Sequence, residues 1–370
     1  MKKFLVIVFT VLALVNLFAA VKIGVILPMT GGISAFGRMV WEGIQIAREE
    51  RPKVLGEEVE LILLDTRSEK TEAANAATRA VTKEKVIAII GEVASSHTLA
   101  LAPIAESNKV PVITPASTNP LVTQGRKYVS RVCFIDPFQG SAMAVYAFKK
   151  LNARKVAVFT DLEQDYSVGL SKFFSDKFKA LGGQVKQVFY KSGDQDFSAQ
   201  LSVALADKPD AIYITGYYPE IALISRQARQ LGFKGYILAG DGADAPELIE
   251  IGGTAVDGLL FTTHYHPKAV DNPVARKFLD TYKKKYGKEP AALSALGYDA
   301  YMALLDAIER AKSFDGTKIA EEIRKTKNFM GATGTITINE LGDAVKTVTV
   351  NVVKGTTFDF AATVEPHEVE

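Results

Sequence analysis

From Lys22 to Thr262 the chain alternates short apolar, β-branched runs with longer segments of helical period. No other feature constrains the fold as much. Strand candidates are Lys22–Leu27, Val59–Leu64, Val86–Ile90, Pro111–Thr114, Val156–Thr160, Val185–Phe189, Ala211–Thr215, Tyr236–Ala239 and Gly258–Thr262. A run such as Val86-Ile87-Ala88-Ile89-Ile90 is apolar at every position, as a strand covered on both faces must be. Strands separated by helical segments form right-handed βαβ units and a parallel sheet. Nine such strands exceed one comfortable sheet. The first series ends near Asp136-Pro137, and a second opens with a helix over 140–151. The pattern predicts two α/β lobes facing each other across a cleft. From Pro273 the texture turns helical, over 273–286, 293–312 and 318–325, and two late strands, 334–338 and 347–353, close the chain. No low-complexity linker separates the halves, which favours hinged lobes over beads on a string.

Residues 1–20 carry two lysines and then an uncharged apolar run ending in small residues. This is the pattern of a secretory signal peptide, cleaved near Ala19 or Ala20. The run is short for a membrane span, which needs about 20 apolar residues. Lys2 and Lys3 account for the formal charge of +2, so the remainder of the 370 residues is neutral. A neutral body has no electrostatic footprint for nucleic acid. The single cysteine, Cys133, excludes an intramolecular disulfide and a multi-cysteine metal site.

Catalytic motifs are missing: no P-loop, no G-x-S-x-G and no H-E-x-x-H occurs. Gly240-Asp241-Gly242 begins a dinucleotide fingerprint but lacks its third glycine. His264 and His266 point the same way at a strand end without a third metal ligand, and read as an exposed pair at a hinge. Binding is favoured over chemistry, with no cofactor and no metal.

Ligands of open α/β sheets lie beyond the carboxyl ends of the strands. Two of those ends are rich in small polar residues: Gly91-Glu92-Val93-Ala94-Ser95-Ser96-His97-Thr98, and Thr114-Pro115-Ala116-Ser117-Thr118-Asn119-Pro120. Hydroxyls and free N–H groups at a strand-to-helix turn suit a carboxylate, although Ser and Thr also serve there as simple caps. A third end places Asp241 between glycines, either as a cation partner or as an ordinary turn residue. Phe36, Tyr166 and Tyr217-Tyr218 follow strands as well and suit the walls of a pocket, or the core. A donor site in one lobe facing a carboxylate in the other fits an α-amino acid.

These residues, with Ile23-Gly24-Val25, Pro28-Met29-Thr30-Gly31, Gly216-Tyr217-Tyr218-Pro219-Glu220 and Arg226-Gln227-Ala228-Arg229, carry a resemblance. The chain resembles the substrate-binding proteins of branched-chain amino acid ABC transporters, the leucine/isoleucine/valine-binding family. The resemblance implies the type I periplasmic-binding-protein fold: two Rossmann-like lobes joined by three crossovers, 21–136 with 265–344 and 137–264 with 345–370. It implies a periplasmic receptor that captures an amino acid ligand by hinge closure and delivers it to membrane permease subunits. It implies that Ser95 and Thr118 hold the ligand carboxylate. The ammonium falls to the Ala116 carbonyl, the Asp241 carboxylate and Thr118. Tyr166 and Tyr217 close over the ligand, and Phe36, Val93, Ala94 and Tyr298 shape the side-chain pocket. Two positions depart from the family, Asp241 where Glu is usual and Phe36 where Tyr is expected, and they leave the side-chain preference open. A sensory ligand-binding module, or a receptor for an amide, urea or aromatic acid, is the alternative.

Overall fold

The computed structural model describes residues 20–369. The leader falls almost wholly outside them.

Six strands build the first sheet: β1 (Val21–Leu27), β2 (Lys53–Val54), β3 (Glu57–Asp65), β4 (Ala88–Gly91), β5 (Val112–Thr114) and β6 (Val129–Arg131), in the order β2-β3-β1-β4-β5-β6. All pairs are parallel except β2 with β3. Ile23 lies between Leu61 and Ala88, and Val25 between Leu63 and Ile90. Both side chains are buried, as the unbroken apolar runs require. The intervening helices are α1 (Ser34–Glu50), α2 (Lys70–Arg79) and α3 (Ser95–Ser107).

The chain then enters a second sheet. Helices α4 (Asp136–Val145), α5 (Asp165–Ala180), α6 (Ser198–Ala206), α7 (Tyr218–Gln230) and α8 (Glu247–Gly252) alternate with β7 (Lys155–Asp161), β8 (Gln184–Tyr190), β9 (Ala211–Ile214), β10 (Tyr236–Ala239) and β11 (Leu260–Thr263). These five strands run parallel to one another. After β11 come α9 (Pro273–Tyr286), α10 (Ala292–Ala311) and α11 (Gly316–Arg324), with α10 packed along α1 of the first lobe. A small antiparallel sheet of β12 (Phe329–Gly331), β13 (Gly334–Ile338) and β14 (Ala344–Val345) follows. Finally β15 (Val348–Lys354) and β16 (Thr357–Val364) add antiparallel strands beside β11, giving β16-β15-β11-β10-β9-β7-β8. The last strand is absent from the sequence reading. The chain thus passes between lobes after Arg131, after Thr263 and after Val345.

Both sheets change direction of strand order. In the first the reversal lies at β1 and β4, and in the second at β7 and β9. Crevices beyond the carboxyl ends of such pairs are where α/β sheets bind ligands. The two crevices face each other.

Among the described residues no helix is long and apolar enough to cross a membrane, and no group of three or more His, Cys, Asp or Glu is placed to hold a metal ion.

Candidate ligand site between the lobes

A small cavity lies where the crevices meet. It is lined by Phe36, Val93, Ser95, Ala116, Thr118 and Leu293 from one lobe and by Tyr166, Tyr217, Asp241 and Gly242 from the other.

The first-lobe end is built from two turns locked together. Glu92 is wholly buried; its Oε1 accepts from the Thr66 hydroxyl (2.7 Å) and its Oε2 from the Val93 and Ala94 N–H groups (2.7 and 2.8 Å). That fixes the turn into α3. The Glu92 carbonyl accepts from the Thr114 and Ser117 hydroxyls (2.5 and 3.0 Å), joining the turn after β4 to the turn after β5. The Asn119 N–H donates to Ser95 Oγ (3.1 Å), so Ser95 and Thr118 come side by side. Arg131, fully buried, closes the arrangement from below. It donates to the Ser117 and Asn119 carbonyls (2.5 and 2.9 Å) and pairs with Asp343 (2.8 Å). With the carbonyls on either side drawn down, Thr118 is left at the cavity. Its hydroxyl makes no hydrogen bond of good geometry among the described residues, although it lies near enough to the Asp136 carboxyl to act on it. Ser95 opens α3, whose N-terminal N–H groups and dipole favour an anion.

At the other end Asp241 follows β10. Tyr166 donates to its Oδ1 (2.7 Å), His264 Nε2 lies 2.9 Å from Oδ2, and the Asp241 N–H donates to Gln139 Oε1 (2.8 Å). Burial, then the negative charge of Asp241, raises the Tyr166 phenol far above its ordinary range, so it stays a donor. Tyr166 and Tyr217 stack with centroids 5.4 Å apart. Phe36 reaches across to Tyr217 and Tyr218, edge to face, at 5.8 and 5.2 Å. The lobes therefore meet over the cavity. Further contacts seal the rims: Tyr218 hydroxyl to the Gly32 carbonyl (2.9 Å), Asn119 Nδ2 to the Asp165 carbonyl (2.7 Å), and Arg38 with Glu247 (2.8 Å).

Eight of the ten expected site residues converge here: Phe36, Val93, Ser95, Ala116, Thr118, Tyr166, Tyr217 and Asp241. Two do not. Ala94 lies behind the wall, its N–H turned to Glu92. Tyr298 is on α10 but one turn and more beyond the cavity; it packs on Phe278 (5.2 Å) and its hydroxyl donates to Glu50 (3.1 Å). Leu293, at the start of the same helix, occupies the place expected of it. The histidine expectation is corrected too. His264 and His266 are buried, not exposed, and His264 belongs to the Asp241 environment. Sequence reasoning missed Leu293, Gly242, Gln139 and His264. Only Gly242 had a signal, as the neighbour of Asp241.

The periplasmic binding protein family model matches residues 20–357, and the chain belongs to that family, whose members bind substrates rather than transform them. A leucine binding protein, LivK, from Thermotoga maritima is 79% identical; the match covers 94% of this chain and 100% of that one, with a TM-score of 0.94. The branched-chain amino acid transporter substrate binding protein LivJ from Streptococcus pneumoniae, crystallised with isoleucine, is 31% identical over 94% of this chain and 100% of its own, with a TM-score of 0.88. A Leu/Ile/Val-binding protein homolog from Brucella melitensis is 34% identical, covering 88% of this chain and 89% of its own.

Proposed function

We propose that this chain is the exported receptor of an ABC transporter for branched-chain amino acids, with leucine in the pocket. One observation carries the reading. The cavity between the lobes has hydroxyl and N–H donors at one end, a carboxylate at the other and apolar walls between. The Ser95 hydroxyl and N–H and the Thr118 hydroxyl receive the carboxylate. Asp241, the Ala116 carbonyl and Thr118 receive the ammonium. Phe36, Val93 and Leu293 pack on the aliphatic side chain, and Tyr166 with Tyr217 forms the cover. The leucine named for the Thermotoga maritima relative and the isoleucine bound by the Streptococcus pneumoniae relative support this choice.

Capture follows from geometry. A ligand held by donors of one lobe and by the carboxylate of the other binds the closed arrangement better than the open one, and only that difference can shift the equilibrium. The lobes, 21–136 with 265–344 and 137–264 with 345–370, rotate about the three crossovers, and the permease subunits read the closed form. Residues 1–20 direct export to the periplasm and are removed.

Mass spectrometry of small molecules released on denaturing the purified protein, followed by calorimetry with leucine, isoleucine and valine, tests the assignment. Leucine released or bound tightly is the expected result. An aromatic acid or amide in the extract, with no heat on adding leucine, overturns it.

A further inference from the structure

The second crossover enters the ligand site through His264. Its imidazole is fully buried, stacks on Phe134 at 3.7 Å and 27°, and holds Nε2 2.9 Å from Asp241 Oδ2. Phe134 belongs to the first crossover. Two of the three segments that join the lobes thus meet as a stacked pair directly behind the Asp241 carboxylate. Nδ1 of His264 has no partner among the described residues.

We propose that His264 is a positioning residue for the ligand ammonium: its Nε2–H fixes the orientation of the Asp241 carboxylate and leaves the outward lone pairs for the ligand. The tautomer follows from the partner. An ionised carboxylate only accepts, so the proton of the contact is on Nε2. Nδ1 is then a bare lone pair, a cheaper group to leave unpartnered in an apolar surround than a buried N–H. Burial pulls the imidazole below its ordinary pKa and Lys346 adds to this, while Asp241 opposes both. The ring is therefore neutral, and it adds no cation to compete with an ammonium for Asp241. Tyr166 on Oδ1 and His264 on Oδ2 brace the carboxylate from both sides. A carboxylate has about four lone-pair sites, so two donors leave room for the charged nitrogen of a ligand. Gln139 completes the brace by accepting from the Asp241 N–H and from the Thr262 hydroxyl (both 2.8 Å).

The inference rests on the amino-acid reading for its ligand but not for its geometry, and the experiment separates the two. Imidazole nitrogen-15 spectra of the full-length mature protein at pH 7, assigned by loss of one signal in His264→Phe, should show a neutral Nε2–H tautomer with slow proton exchange. An Nδ1–H tautomer or a charged ring overturns the proposal whatever the ligand is. Calorimetry then compares leucine with 4-methylpentanoate, which has the same carbon skeleton and carboxylate but no ammonium. His264→Phe keeps the ring on Phe134 and removes the donor; it should weaken leucine about ten- to a hundredfold and 4-methylpentanoate much less. His264→Gln, which restores an N–H at similar reach, should recover part of the leucine affinity. Equal losses for both ligands, or no difference between the Phe and Gln variants, overturn the positioning role. A wild-type protein that shows the expected tautomer but binds no leucine contradicts the ligand assignment and leaves the brace intact.

Discussion

Asp241 and Ser95 face the same cavity from opposite lobes, but their removal should have unequal consequences. Without Asp241 a ligand ammonium is buried with no counter-charge, a loss of about 3–5 kcal/mol. Without the Ser95 hydroxyl the helix N–H groups still meet the carboxylate, and the loss is about 1–3 kcal/mol. Asp241→Ala should therefore weaken leucine binding by a larger factor than Ser95→Ala, and calorimetry giving equal, small losses would contradict the roles assigned here. Asp136 supplies a second test, of stability. Burial, and then the charge of Asp241, pushes its carboxyl from 3.8 up to about 8. The folded protein holds a proton there that the unfolded chain releases. The stability this brings is complete below the unfolded value and is lost as pH rises through the folded one. Asp136→Asn should thus gain melting temperature relative to the wild type steadily between about pH 4 and pH 8. Asp244, raised to about 7 mainly by burial, keeps a slope of the same sign in the variant. A difference in melting temperature that does not change with pH would mean that Asp136 is charged in the fold. At this scale the polar residues at strand ends were legible in the sequence, because carboxyl ends of parallel strands converge. Leu293 and His264 were not. A leucine opening a helix looks like any core residue, and the partner of His264 lies 23 positions away on another strand.

Helices α1 and α10 set the distance between Phe36 and Leu293, the two apolar walls that their N-terminal ends supply. They touch through glycines. A Cβ at Gly43 would stand 1.8 Å from the Ser294 carbonyl oxygen, and one at Gly297 2.4 Å from the Val40 oxygen. Because the obstacle is backbone, no side-chain rotation relieves it. Gly43→Ala should push the helices apart and cost about 1–3 kcal/mol of stability. It should also loosen the pocket, so that leucine affinity falls although residue 43 touches no ligand; denaturant unfolding and calorimetry on one sample check both. A variant as stable as the wild type would show that the helices can slide. The spacing that exposed these elements in the sequence, apolar runs alternating with helical periods, gave the order of the main strands and of the helices but missed the short strands β2, β12 and β14. It failed at β16. Thr357–Val364 interleaves Asp359 with partly exposed residues, as an edge strand does, and no unbroken apolar run marks it. The Gly355 turn between two β-branched runs was its one signal. Arg131 was equally silent. Two of its partners are backbone carbonyls, which any sequence would provide, and its carboxylate partner Asp343 lies far along the chain.

Across the whole molecule, the contacts that hold the lobes together around the cavity are numerous and individually weak. Arg38 is half exposed where it meets Glu247, and an ion pair of that kind contributes about 0–1 kcal/mol. The Tyr218–Gly32 and Asn119–Asp165 hydrogen bonds each add about 0.5–1.5 kcal/mol. Opposing them is the loss of hinge freedom and the drying of a cleft rich in hydroxyls. The proposed capture needs the two arrangements close in free energy, which is where a ligand has most leverage. Moving a population from 1:99 to 99:1 takes about 5.5 kcal/mol of differential affinity. A zwitterion that meets both Asp241, at about 3–5 kcal/mol, and the Tyr166–Tyr217 cover only when the lobes close can supply that much. Leucine should accordingly reduce the radius of gyration measured by small-angle scattering. Tyr217→Ala, which strips one face of the aromatic cover, should leave the first-lobe donors in place yet require more leucine for the same contraction. Asp241→Ala should contract least of all. If saturating leucine binds by calorimetry while the scattering curve stays that of an open molecule, closure is not the event that binding drives, and the permease must recognise the ligand-loaded first lobe alone.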